Sequence, residues 1–417
     1  MCQPVRMLRN IVVVGASLAG LRAVEALRTD GYDGHLTLVG AEPHLPYDRP
    51  PLSKKVLAGE WEPDRIQLRR TDQIDALSLD LRLGVRAERL DPAARVVHLA
   101  DGAVLPYDGL VIATGAQPRR LAGQPALPGL VELRTLDDAL ALRALLDAGP
   151  RRVVVIGAGF IGAEVAATAR HRGLEVTILE ALPVPLARGL GPAMGAACGL
   201  LHADHGVDLR LGVGVAAIDG GARVERVRLD DGTTLDADVV VVGIGVSPAT
   251  GWLEGSGLTL RDGIVCDATL AAGPPGVYAA GDVARWPNAR FGEEMRVEHW
   301  TNANEQGAHA AANLLATGGA DGSGTGVAQP YSPVPFFWSD QYGARIQYLG
   351  RASGDDEVQV VHGSIDARAW VALFGREGRL RGALGVNQPK LLAGYRKLFV
   401  EEASWEDALA HAARVNA

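Results

Sequence analysis

The sequence predicts an α/β fold in which two similar parallel-sheet units are followed by a C-terminal α+β domain. Three observations carry that prediction. A strand, glycine turn, helix, strand pattern occurs at residues 10–42 (NIVVVGASLAGLRAVEALRTDGYDGHLTLVGAE) and again at residues 152–180 (RVVVIGAGFIGAEVAATARHRGLEVTILE). At 417 residues the chain is too long for a single core. Residues 317–330 (TGGADGSGTGVAQP) have the small, polar composition of a flexible connector, and strand-like runs follow them.

In each repeat, a continuous Val/Ile run suits a strand covered on both faces, and the Ala-rich stretch after it suits a helix packed closely on the sheet. The turn between them has the logic of a Rossmann-like dinucleotide site. Its first glycine makes the tight turn, the second lets the backbone approach a pyrophosphate, and the third lets the helix pack; the helix N-terminal amides then face the phosphates. The second repeat satisfies this with Gly157, Gly159 and Gly162, with Phe160 and Ile161 opening the helix. Glu180 ends the next strand, placed to accept from a ribose 2′-hydroxyl and to repel a 2′-phosphate, so NADH is expected over NADPH, with Arg170, Arg172 and Arg188 as the nearby opposing charges. The first repeat has Gly15, Ser17 and Gly20, with Leu18 and Ala19 at the helix start and Glu42 as the available acid.

Apolar runs at 107–115 (YDGLVIATG) and 237–245 (ADVVVVGIG) end in glycine and mark crossings between the two units. A further βαβ-like signal at 276–284 (GVYAAGDVA) precedes a helix expected over 302–315. The division that follows is 1–112 with 246–325 for the first dinucleotide, 113–245 for the second, and 326–417 for the C-terminal domain. Strands are expected there around 344–350, 356–362, 368–374 and 379–386, with helices near 389–402 and 405–415.

A net charge of −8 offers no footprint for nucleic acid or an anionic membrane. Cys2, Cys198 and Cys266 are widely separated, without a CxxC pair, which argues against a disulfide framework, a cysteine metal site or a redox dithiol. The histidines form no HExxH motif, and no metal is expected. The N-terminal apolar run breaks at Gly15, as a strand rather than a signal peptide would, and a cytoplasmic protein without a membrane span is expected.

The two fingerprints, the segment 46–54 (PYDRPPLSK), Ala113-Thr114-Gly115, Arg134-Thr135-Leu136, Gly281-Asp282, Glu298-His299-Trp300 and 336–342 (FFWSDQY) together resemble the NADH-dependent ferredoxin reductases, in order and over nearly the whole chain. The resemblance implies a glutathione-reductase-like arrangement. It also implies an activity: NADH gives hydride to FAD, and single electrons then pass to a small iron-sulfur ferredoxin, an acidic one, that supplies an oxygenase. Rubredoxin reductases and NADH-sensing flavoproteins of the apoptosis-inducing-factor type are the alternatives. The FAD contacts it implies are Ala19, Lys54, Arg134, Asp282 and Trp300, with Asp282 at a helix start and Ala87 offering backbone to the adenine; Arg49, Ala113, Thr114, Gly115, Arg188, Gly245, Gly281, Glu298 and His299 join the cofactor set. Where the family often has an acid this chain has Ala41, so Glu42 is the substitute.

Taken alone, Lys54 reads as a solvated surface cation and Trp338 as ordinary aromatic core. The resemblance instead pairs Lys54 with Glu164 beside the flavin and nicotinamide, and sets Trp338 near the acceptor path. A ferredoxin docking patch is expected among Arg69, Arg70, Lys390, Arg396 and Lys397, on a monomer or weak homodimer.

Overall fold

The two Val/Ile runs become the central strands of two five-stranded parallel sheets, each in its own compact unit of the computed structural model, which describes residues 8–318, 324 and 326–416. The first unit takes Met1–Asp48, Ile66–Gln117 and Ser247–Pro335; the second takes Arg49–Arg65, Pro118–Val246 and Phe336–Ala417.

In the first unit the strand order is Val277–Ala279, Gly109–Ile112, Asn10–Val14, His35–Gly40, Asp80–Leu83. Ile11, Val13, Leu36, Leu38, Leu110 and Ile112 are fully buried, as strands covered on both faces require. The helices Leu18–Thr29 and Trp300–Thr317 meet where Gly307 has no side chain: a Cβ there would lie 2.1 Å from the Ala19 carbonyl oxygen.

The second unit repeats the plan, with the order Leu130–Glu132, Val239–Val242, Arg152–Ile156, Glu175–Glu180, Asp208–Leu211. Each parallel sheet also carries a three-stranded antiparallel sheet, built from 87–106 in the first unit and 215–236 in the second. Residues 336–416 add a five-stranded antiparallel sheet in the order Phe336–Gln341, Ala344–Gly350, Arg379–Val386, Ala369–Arg376, Glu357–Ser364. Leu190, Met194, Cys198 and Leu201 of the helix Ala187–Asp204 share one core with Ile346, Trp370 and Phe374 of that sheet.

Three local differences from expectation stand out. The signal at 276–284 leads into a 3₁₀ turn (Gly281–Val283) and a β-hairpin (Ala284–Asn288 with Glu293–Arg296) before the helix starts at Trp300. Asp282 is therefore at the start of a short 3₁₀ helix rather than of the α-helix from Trp300, and burial of Trp286, Asn288 and Met295 holds the hairpin between them. The helix expected over 389–402 is two short helices, Pro389–Gly394 and Arg396–Val400. Of the expected connector 317–330, residues 319–323 and 325 lie outside the described residues. Gln329, near its end, is pinned, its NH donating to Asn313 Oδ1 at 2.8 Å and its carbonyl accepting from Asn313 Nδ2 at 2.9 Å.

Candidate active site

The two glycine turns have the same construction. Gly15 (φ +119°) and Gly157 (φ +104°) lie in the left-handed region, and a Cβ would fall 2.1 Å from the Ala113 carbonyl oxygen in one and 2.4 Å from that of Gly243 in the other. A Cβ on Gly20 would lie 1.8 Å from the Gly15 oxygen, and one on Gly162 2.1 Å from the Gly157 oxygen. These contacts make the first and third glycines obligatory. Position 159, in contrast, is open: nothing lies within 4 Å of where its Cβ would be, directly ahead of the amides that start the helix Phe160–His171. Gly245 (φ +105°) faces similar open space, and Ile161 is 49% exposed beside the turn. An uncrowded backbone at a helix N-terminus fits a pyrophosphate.

The repeats differ at the acid. Gly15 N donates to Val39 O and Gly157 N to Leu179 O, both at 2.7 Å, so the structural counterpart of Glu180 is Gly40. A Cβ on Gly40 would lie 2.6 Å from the Ala16 Cβ, which excludes a side chain there. Glu42 comes two residues later and accepts from Tyr47 Oη at 2.5 Å. Glu180 is held by two backbone amides, of Ala158 at 2.8 Å and of Leu182 at 2.9 Å. Of the three arginines expected as opposing charges, Arg170 donates to the carbonyls of His205 and Leu174, and Arg172 to that of Leu57 with Asp147 as ion-pair partner; Arg188 is exposed.

Lys54 and Glu164 meet within the second unit. Leu52–Val56 forms a short π-helical turn against the helix Phe160–His171, and Lys54 Nζ lies 2.6 Å from Glu164 Oε2. The carboxylate is 3% exposed and takes two further bonds: Ser53 Oγ donates to Oε2 and Ser339 Oγ to Oε1, each at 2.6 Å. Gln341 Nε2 donates to Ser339 Oγ at 3.1 Å, and Thr168 Oγ1 donates to the Ser53 carbonyl at 2.8 Å. Ser53, Thr168, Ser339 and Gln341 are supports that sequence reasoning missed. The signal available was a serine and a glutamine at alternate positions of an apolar strand, on its inward face.

Arg49 and Arg134 also belong to the second unit, where Arg49 Nη1 donates to the Arg134 carbonyl at 2.6 Å. Arg134-Thr135-Leu136 is the entry to the helix Leu136–Asp147, with Thr135 and Asp138 forming a capping box. Trp338 lies on the strand face opposite Ser339, stacked on Phe336 at 6.2 Å with the Arg345 guanidinium 5.9 Å from its ring.

In the first unit, Trp300 Nε1 donates to Asp48 Oδ1 at 2.6 Å, and Arg296 links the Asp282 carbonyl (3.1 Å) to the Glu298 carboxylate (2.6 Å). Gly281 N donates to Gln306 Oε1 at 2.8 Å, and the buried Gln306 Nε2 has no partner among the described residues. That leaves an amide donor beside the Gly281-Asp282 turn. Thr114 Oγ1 donates to the Ala249 carbonyl at 3.0 Å, Ala87 begins an antiparallel strand, and His299 is the N-cap of the helix from Trp300.

Residues 9–307 match the family described as Pyridine nucleotide-disulphide oxidoreductase, and residues 336–416 match the family Reductase C-terminal. The chain belongs to the pyridine nucleotide-disulphide oxidoreductase family. It is 38% identical to a rhodocoxin reductase of Rhodococcus erythropolis, over 94% of this chain and 90% of that one. It is 40% identical to the ferredoxin–NAD(+) reductase component of an anthranilate 1,2-dioxygenase system of Burkholderia cepacia, over 93% of each. The reductase in the crystal structure of the covalent putidaredoxin reductase–putidaredoxin complex superposes with a TM-score of 0.88 at 33% identity, over 94% of this chain and 93% of that one. Within this oxidoreductase family the chain brings no reactive thiol from the cysteines described: Cys198 and Cys266 are free and buried, and burial pushes each thiol up to about 12. Cys2 lies outside the described residues.

Proposed function

We propose that this protein is an NADH-dependent ferredoxin reductase that binds FAD at the first fingerprint and NADH at the second, and delivers single electrons to a ferredoxin serving an oxygenase. The observation that carries the reading is the Lys54–Glu164 pair, whose buried carboxylate is set on the helix that opens at the Gly157 fingerprint. The names of the similar reductases, one of them a component of a dioxygenase system, favour it over the sensing and rubredoxin alternatives. For function, we divide the chain into an FAD domain (1–112 and 246–325), an NAD domain (113–245) and a C-terminal domain (326–417). We place the protein in the cytoplasm, where NADH is available.

When bound, FAD supplies the conversion of a two-electron hydride donor into one-electron deliveries. The chain's own residues bind, orient and balance charge. Gly157, Gly159 and Gly162 with the amides of Phe160 and Ile161 receive the NADH pyrophosphate, and Glu180, aligned by two backbone amides, accepts from the ribose diol. Gly15, Ser17, Gly20 and the Gly281-Asp282 turn are the corresponding FAD contacts. Lys54 offers a fixed positive charge for the negative charge that reduction adds to the flavin. Glu164 has three of its roughly four acceptor positions filled, and the remaining one on Oε1 suits the amide of a nicotinamide carboxamide.

The partner is an acidic ferredoxin met by a monomer or weak homodimer. Three of the basic side chains considered for docking are neutralised locally: Arg69 by Glu25, Arg70 by Asp72 and Lys397 by Glu401. Lys390 and Arg396 are exposed without an ion-pair partner among the described residues, and they become the docking candidates. The test is steady-state reduction of a panel of ferredoxins and a rubredoxin by the FAD-loaded protein, with NADH and NADPH in parallel. Turnover of at least one ferredoxin with NADH preferred supports the proposal. Reduced flavin that persists beside every carrier rejects it in favour of sensing.

A further inference from the structure

We infer that Ser339, aimed by Gln341, is a positioning residue through which the C-terminal sheet holds Glu164 in its working orientation; this rests on the role proposed above for the Lys54–Glu164 pair. Ser339 is fully buried, and its hydroxyl is 2.6 Å from Glu164 Oε1 and 3.1 Å from Gln341 Nε2. An amide nitrogen can only donate, so the Ser339 oxygen accepts from Gln341 and its single proton must point at the carboxylate. The opposite amide orientation would set two acceptors, Gln341 oxygen and Glu164, in competition for that one proton. Gln341 is itself 1% exposed and cannot turn to solvent.

The consequence for Glu164 is geometric. Lys54 and Ser53 both bind Oε2, so they fix one oxygen and leave the carboxylate able to pivot about it. Ser339 binds the other oxygen and removes that freedom. It also decides which side of Oε1 stays open for a nicotinamide carboxamide. Phe337, Ser339 and Gln341 alternate with Phe336, Trp338 and Asp340 along one strand, so a single segment of the C-terminal sheet presents its polar inward face to the hydride-side carboxylate.

The experiment compares S339A, S339T, Q341M and E164Q as FAD-loaded proteins. One readout is the rate of Lys54 acetylation, followed by mass spectrometry without NADH. The others are the stopped-flow rate of flavin reduction at saturating NADH, the NADH dissociation constant and the thermal midpoint. Loss of one charge-assisted hydrogen bond is expected to slow flavin reduction in S339A about tenfold and to raise Lys54 acetylation about threefold. NADH affinity should change little, since the pyrophosphate contacts remain, and S339T, which keeps the hydroxyl, should recover both readouts. Q341M keeps Ser339 but removes the group that aims it; it is expected to move both readouts in the same direction, and it carries the test if S339A does not fold. Wild-type acetylation and reduction rates in S339A and Q341M, or S339T no better than S339A, overturn the inference. If E164Q itself reduces flavin at the wild-type rate, the assigned role of Glu164 fails; if E164Q is slow while the Ser339 variants are normal, only the positioning claim fails.

Discussion

Glu164 is a buried charge that stays tolerable because three donors converge on it, and this makes its partners unequal. Removing Ser53 or Ser339 loses a hydrogen bond, whereas removing Lys54 leaves an uncompensated carboxylate with 3% exposure. Lys54→Met is therefore expected to destabilise the second unit by about 3 kcal/mol, more than either serine-to-alanine change. Urea unfolding of the three variants measures the difference, and equal effects would count against the pair as a desolvated charge site. A second buried titratable group is His202. Burial, reinforced by His205, holds His202 down to about 4, with its Nδ1 2.6 Å from Tyr342 Oη. An unfolded histidine takes its proton near about pH 6.5, so between there and pH 4 the unfolded chain binds more protons than the native one. The contribution is complete above about pH 6.5, declines as pH falls toward 4 and then levels, a change of roughly 3 kcal/mol. His202→Gln should flatten that part of the stability profile; an unchanged slope would show that other groups produce it.

At the scale of elements, the two repeats are set by close backbone approaches that only glycine permits. Gly307 does for the helix pair of the first unit what Gly15 does for its turn. Gly307→Ala puts a methyl 2.1 Å from the Ala19 carbonyl oxygen, and the helices must separate, at a cost of about 3 kcal/mol. Because Ala19 sits in the first helical turn, inside the fingerprint, the variant should also be purified with less bound FAD, which the ratio of visible to ultraviolet absorbance reports. The glycine turns, the Val/Ile strands and the paired helices were legible in the sequence because each depends on neighbours along the chain. The four tail strands fell within two residues of expectation for the same reason. Less legible were features that depend on distant partners. The hairpin Ala284–Arg296 lacks clean alternation and is held by burial of Trp286 and Met295, and the strand Phe336–Gln341 read only as an aromatic cluster. Ser53 and Ser339 come to one carboxylate from segments far apart in sequence, which no spacing rule could bring together. Nor does any sequence pattern announce that Ala16 excludes a side chain from position 40.

On the whole-molecule scale, the C-terminal sheet belongs energetically to the second unit, although residues 317–330 look in sequence like a place to cut. The helix Ala187–Asp204 follows the strand that ends in Glu180, and its apolar face is covered by the sheet through Ile346, Trp370 and Phe374. Uncovering Leu190, Met194 and Leu201 costs about 2 kcal/mol each, which together is comparable with the whole stability of an ordinary domain. The same cut removes Ser339 and Gln341 from Glu164. A chain ending at Pro335 is therefore expected to bind a hydrophobic dye, to lose the cooperative unfolding transition of the second unit, and to show no measurable NAD(+) binding by calorimetry, despite keeping the complete Gly157 fingerprint and Glu180. Cooperative unfolding at the full-length midpoint with intact NAD(+) binding would mean that the shared core contributes little and that the C-terminal domain is an appendage. The opposite result would make the fingerprint insufficient by itself and would support the proposal that the nicotinamide site is completed by a sheet whose sequence carries no dinucleotide motif.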